Sequence, residues 1–309
     1  MKGDLMAEHD PRAASAFYQA ALGNAAQAQE KGPLNAPLIA ELRRIETFLG
    51  RAAADYEAHL LDHLAAAGFA PRALAPRVQH AIDLLTGKRE IYLQQPSAFY
   101  FPGLPQIEFY ERDAFAWLPA LEAAAPAMRA ELEALIAEDG DFAPYVETPT
   151  GRPPPRNPLL DDPSWGACYL WKAGARVARN ADRCPRTMAA LAAAPIPHIR
   201  ARSPMALFSL LKPGTHITPH HGLLNTRLIV HLPLIAPPDC GLRVGSQTRT
   251  WRMGEALIFD DSIEHEAWNR GTETRVVLLF EIWRPEIVEE ERAALTALFE
   301  AIGAFGDEA

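Results

Sequence analysis

Between Pro11 and Gly68 apolar residues recur at intervals of three and four, as at Leu38, Ile39, Leu42, Ile45, Phe48 and Leu49, which predicts amphipathic helices. Asn35 followed by Pro37 marks the start of the helix that runs on from Leu38. The spacing of Ala13, Ala14, Phe17, Tyr18, Ala20 and Ala21 ahead of a second helix resembles a tetratricopeptide-like pair, although no repeat of about 34 residues recurs. An ordinary helical cap on the following domain is the other reading. A short helix over Val78–Leu85 and a proline-rich, aromatic linker over Gln95–Pro105 lead to more helix, Arg112–Glu138, which Pro119 and Pro126 must break or restart.

Beyond Trp165 the pattern changes to short, turn-bounded strands: Cys168–Trp171, Ala206–Leu211, Leu228–Leu234, Gly241–Val244, Thr248–Trp251, Ala256–Phe259 and Arg275–Trp283. Strands of that number and length predict a double-stranded β-helix, or jelly roll, closed by a final helix over Val288–Ile302 that packs on the barrel or on a second copy of the chain. The proline run between Thr148 and Pro163 is the expected boundary. The fold class is therefore α+β, a helical region over residues 1–147 and a jelly-roll domain over 148–309.

Composition narrows the function. With 309 residues and 49% hydrophobic content the chain can bury a sizeable core. A net charge of −9 without a dense Lys/Arg cluster argues against nucleic acid or an anionic membrane as the main partner, and a small-molecule or peptide substrate is easier to accommodate. No apolar core follows the first residues, no apolar run approaches the roughly 18 residues of a spanning helix, and Cys168, Cys184 and Cys240 form no metal-like spacing, so a reducing, cytoplasmic setting is expected.

Five of the ten histidines lie between His216 and Pro285. On the strand over Leu228–Leu234 alternation puts Arg227, Ile229 and His231 on one face, and on the last strand it groups Arg275, Val277, Leu279 and Glu281. An inward Arg275 would be a buried cation that needs an anion, supplied by a protein carboxylate or by a ligand. His220 and His265 stand at opposite ends of the strand-rich stretch, the first in a loop that Gly214, Pro219 and Gly222 keep from being helical. Two imidazoles on neighbouring strands can bind a divalent iron, and an acidic residue two positions after the first would complete a facial triad; that position here is Gly222. On spacing alone a metal-dependent jelly roll and a metal-free one both stay open. Asp260, Asp261 and Glu266 are candidates for supporting the histidines from outside, with surface acids the alternative. His216 reads as a loop-packing residue, His221 must point away from a site that His220 faces, and Trp251, Trp268 and Trp283 read as core and rim packing.

The stretches P-G-T-H-I-T-P-H-H-G at 213–222, N-T-R-L-I-V-H-L-P-L at 225–234, G-E-A-L-I-F-D-D-S-I-E-H-E-A-W-N at 254–269 and R-V-V-L-L-F-E-I-W-R-P-E at 275–286 resemble the aspartyl/asparaginyl beta-hydroxylases, iron(II) and 2-oxoglutarate dependent dioxygenases. A looser likeness covers W-G-A-C-Y-L-W at 165–171 and Arg183–Thr187. The resemblance implies Fe(II), 2-oxoglutarate and O2 as cofactor and co-substrates, with His220 and His265 as the two metal ligands and Gly222 in agreement, since the family lacks the acidic ligand. It implies that Ser209 and Arg275 hold the distal carboxylate of 2-oxoglutarate, that His231 lies at its metal-side carboxylate and that Arg227 is associated with a substrate carboxylate. Ile229 stands where the best-known animal members have an arginine.

The function so implied is hydroxylation of an unactivated C–H, on the β-carbon of an aspartyl, asparaginyl or similar carboxylated substrate, with release of succinate and CO2. Two alternatives compete with it: a jelly roll that binds a metal or carboxylate without turnover beside a helical interaction module, and a cupin-type isomerase or lyase. The substrate and the oligomeric state are not legible in the sequence.

Overall fold

The computed structural model describes residues 2–138, 142–149, 151 and 153–305. The chain forms two compact units, Met1–Ile91 and Tyr92–Ala309. In the first, α1 (Lys2–Met6), α2 (Pro11–Gln29), α3 (Ala36–Ala66) and α4 (Pro76–Leu85) follow one another. Asp10 and Asn35 cap α2 and α3 by accepting from the N–H groups of Ala13 and Leu38, with prolines in the first turn where no N–H is required. Ala14 and Tyr18 of α2 pack on Ile45 of α3, and the Tyr18 ring meets Phe48 edge-on at 5.0 Å.

The tetratricopeptide-like expectation gains no support from this geometry. Helices of 19 and 31 residues do not fit a repeat of about 34 residues containing both. Ile45 is the one buried residue of α3; Leu38 and Ile39, which the periodicity places on an apolar face, are 38% and 39% exposed.

In the second unit the strands are β1 (Phe109–Tyr110), β2 (Ala143–Pro144), β3 (Trp165–Lys172), β4 (Ala175–Arg176), β5 (Ala206–Leu211), β6 (His216–His220), β7 (Arg227–Ile235), β8 (Cys240–Val244), β9 (Gln247–Thr250), β10 (Leu257–Phe259), β11 (His265–Asn269) and β12 (Arg275–Trp283). They form a large sheet ordered β1-β10-β7-β12-β5-β3-β2, with β4 beside β3, and a small one ordered β6-β11-β8-β9. Every pairing between these named strands is antiparallel, and consecutive strands from β5 onward alternate between the two sheets in the main, which is the jelly roll expected from the sequence. Leu207, Ile229, Val277 and Leu279 from the large sheet meet Ile217, Leu242, Val244 and Ala267 from the small one across the interior.

The opposite face of the large sheet is covered as well. Helices α5 (Leu118–Ala123) and α6 (Ala125–Ala137) lay Leu118, Leu121, Met128, Leu132 and Leu135 on Leu228, Val230, Leu232, Leu278 and Phe280. A sheet buried on both faces explains why β7 and β12 read as nearly continuous apolar runs. Pro119 and Pro126 fall in the first turns of α5 and α6, so they restart the helix as expected.

This packing moves the boundary expected between residues 147 and 148 to Ile91/Tyr92, because α5 and α6 belong to the barrel's own core. Thr150 and Arg152 of the proline-rich segment lie outside the described residues. Around them, Val146 bridges to Leu160 and Asp161 accepts from the Thr148 N–H and hydroxyl. Two short helices, α7 (Ala178–Ala181) and α8 (Pro185–Leu191), follow β3 and β4. The last helix, α9 (Glu289–Ala304), packs Leu295 and Phe299 against Trp283, Leu104 and Ile287 of the same unit. Among the described residues no helix is long and apolar enough to cross a membrane.

Candidate functional site

A cavity of about 440 Å³ opens between the two sheets. Its lining runs from buried His231 and Arg275 outward to Leu223, which is 54% exposed. All six residues predicted for the site, Ser209, His220, Arg227, His231, His265 and Arg275, line this one cavity.

His220 and His265 are cross-strand partners on β6 and β11, with ring centroids 4.1 Å apart. The pairing contains a register shift: His265 faces His220, whereas Ala267 faces Ile217. One extra residue on β6 lets Ile217 and His220 both turn inward, which strict alternation forbids. Pro219 lies in that bulge, where a residue without an N–H costs no ladder hydrogen bond. The segment read as a loop from its Gly and Pro content is thus a bulged strand.

Each imidazole is held by a main-chain carbonyl. His220 Nδ1 lies 2.8 Å from the Thr218 carbonyl oxygen, and His265 Nδ1 lies 3.0 Å from that of Ile263. A carbonyl can only accept, so both rings carry their proton on Nδ1 and leave the Nε2 lone pair available as a metal ligand. Burial, reinforced by the neighbouring His220, depresses His265 to about 3; burial also lowers His220, against the pull of the Thr218 carbonyl. Neutral imidazole is the form that binds a metal.

No cluster of three or more His, Cys, Asp or Glu side chains among the described residues has metal-binding geometry. Position 222 shows why a third protein ligand is missing. A Cβ added to Gly222 would collide with the Asp261 carboxylate, whose farther oxygen alone would lie 2.9 Å away. The Gly222 N–H donates to the Asp261 main-chain oxygen at 2.6 Å, which fixes that close approach.

The three acids considered as supports for the histidines all aim elsewhere. Asp260 accepts from Arg284, Gln94 and Ser262; Asp261 accepts from Arg227; Glu266 accepts from Arg243 and pairs with His216. The carbonyls of Thr218 and Ile263 do the orienting instead, and alternation does not reveal which carbonyl a side chain will meet. His216 is an exposed strand residue tied to Glu266, not a loop-packing residue.

Arg275 is 1% exposed, with Nε and Nη1 buried and without a hydrogen-bond partner. No carboxylate pairs with it among the described residues; its guanidinium lies 4.8 Å from the Trp251 ring centroid, and burial lowers it to about 10. Beside it His231 is buried with Nδ1 unpartnered, and burial together with Arg275 and His265 holds its pKa well below the usual imidazole value. The Ser209 hydroxyl lines the same pocket, 2% exposed and without a side-chain hydrogen bond among the described residues. Isolated buried cations are costly, so this corner is built for an anion from outside.

Arg227 is the contrast. Its Nη1 donates to Glu281 at 2.6 Å and its Nη2 to Asp261 at 3.1 Å. Burial pulls its pKa down, but the two carboxylates outweigh that and hold it above the ordinary arginine value, while burial pushes Asp261 up to about 6 despite Arg227. A ligand carboxylate would have to share Arg227 with both acids. Sequence reasoning also passed over Tyr145, stacked on Trp165 with centroids 4.1 Å apart, and Arg202, both in the cavity wall. The aromatic ends of W-G-A-C-Y-L-W were the available signal for the stack; a lone arginine in a turn gave none.

A sequence model of the family described as Aspartyl/Asparaginyl beta-hydroxylase matches residues 122–285. The chain is 35% identical over 141 residues to human aspartyl/asparaginyl beta-hydroxylase, covering 45% of this chain and 18% of that one. It is 35% identical over 179 residues to the ornithine lipid ester-linked acyl 2-hydroxylase of Rhizobium tropici, covering 57% and 60% of the two chains. It is 33% identical over 216 residues to human aspartate beta-hydroxylase domain-containing protein 2, covering 67% and 55%. The chain thus spans between about a fifth and three fifths of these relatives' length. The family match takes in β3 to β12, more than half of the chain, and every residue of the cavity corner just described from Ser209 to Arg275, so the chain belongs to the aspartyl/asparaginyl beta-hydroxylase family.

Proposed function

We propose that the chain is an iron(II) and 2-oxoglutarate dependent dioxygenase that hydroxylates an unactivated C–H bond. The observation that carries this reading is the buried, unpaired Arg275 guanidinium in the same cavity as two imidazoles with free Nε2 lone pairs. His220 and His265 would hold the iron. Arg275 and Ser209 would bind the distal carboxylate of 2-oxoglutarate, and His231 would donate to the carboxylate nearer the metal through an N–H that lacks a protein partner. Bound iron(II), with O2 and 2-oxoglutarate, supplies the oxidation that converts C–H to C–OH while 2-oxoglutarate becomes succinate and CO2.

The chain's own part is placement. Two protein ligands instead of three leave more of the metal's coordination positions to small molecules. The Thr218 and Ile263 carbonyls fix both ring planes, and the stacked Tyr145 and Trp165 limit water on one side of the site. Ile229, in place of an arginine, offers no second cation, so Arg275 would be the one arginine on the diacid, helped by Ser209 and His231.

The substrate class to test first is an aspartyl, asparaginyl or similar carboxylated molecule, oxidised at its β-carbon. The relatives' names share a chemical feature that supports this class: the aspartyl β-carbon and the 2-position of an acyl ester both adjoin a carbonyl carbon. The test is oxygen-dependent formation of succinate from 2-oxoglutarate by purified protein with added iron(II). Turnover in the native chain and its loss in His265→Ala is the expected result; iron and 2-oxoglutarate binding without any succinate would favour the non-catalytic jelly roll.

A further inference from the structure

Arg202 is half-buried, lines the cavity and makes no side-chain hydrogen bond or ion pair among the described residues. Its guanidinium lies over the Phe299 ring at 4.6 Å, a contact that orients the group without neutralising it. The turn that presents it is tightly determined. Ile199 bridges to Ser203, Ala201 takes a left-handed φ of 58°, and a Cβ on Gly174 would come within 3.1 Å of the Ile199 carbonyl oxygen. A non-glycine residue held in that region costs on the order of 1 kcal/mol or more and persists where the surroundings impose it. The other cations of the wall differ: Arg227 is held by two carboxylates and Lys172 is paired with Glu147, while Arg275 lies at the closed end. The same cavity wall also carries Tyr169, Met205 and Leu223.

We propose that Arg202 is the specificity-determining residue for an anionic group on the substrate, a carboxylate or phosphate joined to an apolar segment that lies along Tyr169, Met205 and Leu223. This rests on the cavity being the substrate site, as in the function proposed above, but not on turnover. It assigns the recognition of charge to a residue separate from Arg227, whose Nη1 and Nη2 are engaged by Glu281 and Asp261, and from Arg275, which is reserved for the co-substrate. Phe299 and the Ala201 turn act as positioning elements for Arg202.

The test is calorimetric titration of the full chain with three matched probes: dodecanoylglycine, dodecyl phosphate and the neutral dodecanoylglycinamide. The native chain is expected to bind at least one anionic probe about tenfold more tightly than the amide, as for one charge-assisted hydrogen bond. Arg202→Gln should erase that preference while leaving the amide affinity and manganese-dependent 2-oxoglutarate binding unchanged, and Arg202→Lys should restore most of it. A preference for the carboxylate alone, the phosphate alone or both identifies the group and supports the proposal in each case. No preference in the native chain, or a native-like preference in Arg202→Gln, overturns it. If the Arg202-dependent preference is present but succinate never forms, the dioxygenase reading falls and this one stands.

Discussion

Two buried arginines flank the last long strand of the barrel, Arg275 at the start of β12 and Arg284 just past its end, with exposures of 1% and 0%. They are the same residue type at nearly the same depth, and their surroundings are opposite. Arg284 pairs with Asp260 at 2.5 Å, and donates to Pro105 O at 2.9 Å and Tyr110 Oη at 2.6 Å. Gln94 and Asn225 extend that network, Gln94 donating to Asp260 and Asn225 to Gln94. Arg275 has the Trp251 ring and two unpartnered nitrogens. The lesson is that burial of a charge does not by itself mark a site; burial without a partner does. Arg284 serves to hold the Gln94–Pro105 segment on the barrel, and Arg275 is left for a ligand.

The comparison breaks first at Arg284. Its replacement by alanine strands Asp260 as an unpaired buried carboxylate, so a loss of roughly 3–5 kcal/mol in unfolding free energy is expected from urea denaturation. Arg275→Met should do the reverse in the ligand-free chain, leaving stability unchanged or raising it by about 1–4 kcal/mol, because it removes a charge that has no partner. The same variant should weaken metal-dependent 2-oxoglutarate binding by about 2–5 kcal/mol, measured by calorimetry. A loss of stability in Arg275→Met as large as that in Arg284→Ala would mean that the two arginines are equivalent structural residues.

A smaller effect sharpens the view of the metal site. Gly222→Asp should not create a third ligand; crowding against Asp261 should cost roughly 1–3 kcal/mol of stability. Tighter manganese binding by that variant at unchanged stability would show that the space beside His220 is free. The smallest effect concerns pH. His231 is neutral in the folded chain at pH values where the unfolded chain has begun to protonate it, since its folded pKa is depressed by burial and Arg275. Its contribution is therefore complete above the ordinary histidine pKa of about 6.5 and is lost as pH falls below it. His231→Gln should remove about 1–2 kcal/mol of the native chain's stability loss between pH 7.5 and 5.5, read from urea midpoints at each pH. An unchanged slope would place the acid sensitivity elsewhere.

Much of this arrangement was legible in the sequence. Alternation placed Arg227, Ile229 and His231 on one face of β7, and Arg275 with Leu279 on one face of β12, because β12 pairs residue for residue with β5 and the one register shift between β7 and β12 falls beyond His231, at Pro233–Ile235. The jelly roll followed from strand number and length. The bulge at Pro219 was not legible, since it depends on the partner strand β11, and without it Ile217 and His220 could not share a cavity. Asp260 and Arg284 lie 24 positions apart, so nothing local announced that the acid was already committed. The helical boundary was misplaced for a related reason. Helices α5 and α6 carry the same apolar period as α2 and α3, and only their packing on Leu228, Val230 and Leu232 assigns them to the barrel.

The most direct measurement is anaerobic calorimetric titration of 2-oxoglutarate into manganese-loaded native chain, His265→Ala and Arg275→Met. Saturable binding in the native chain that disappears in both variants is the predicted result. Native-like binding in Arg275→Met, or metal loading that survives in His265→Ala at native affinity, would contradict the assignment of these two residues to one site.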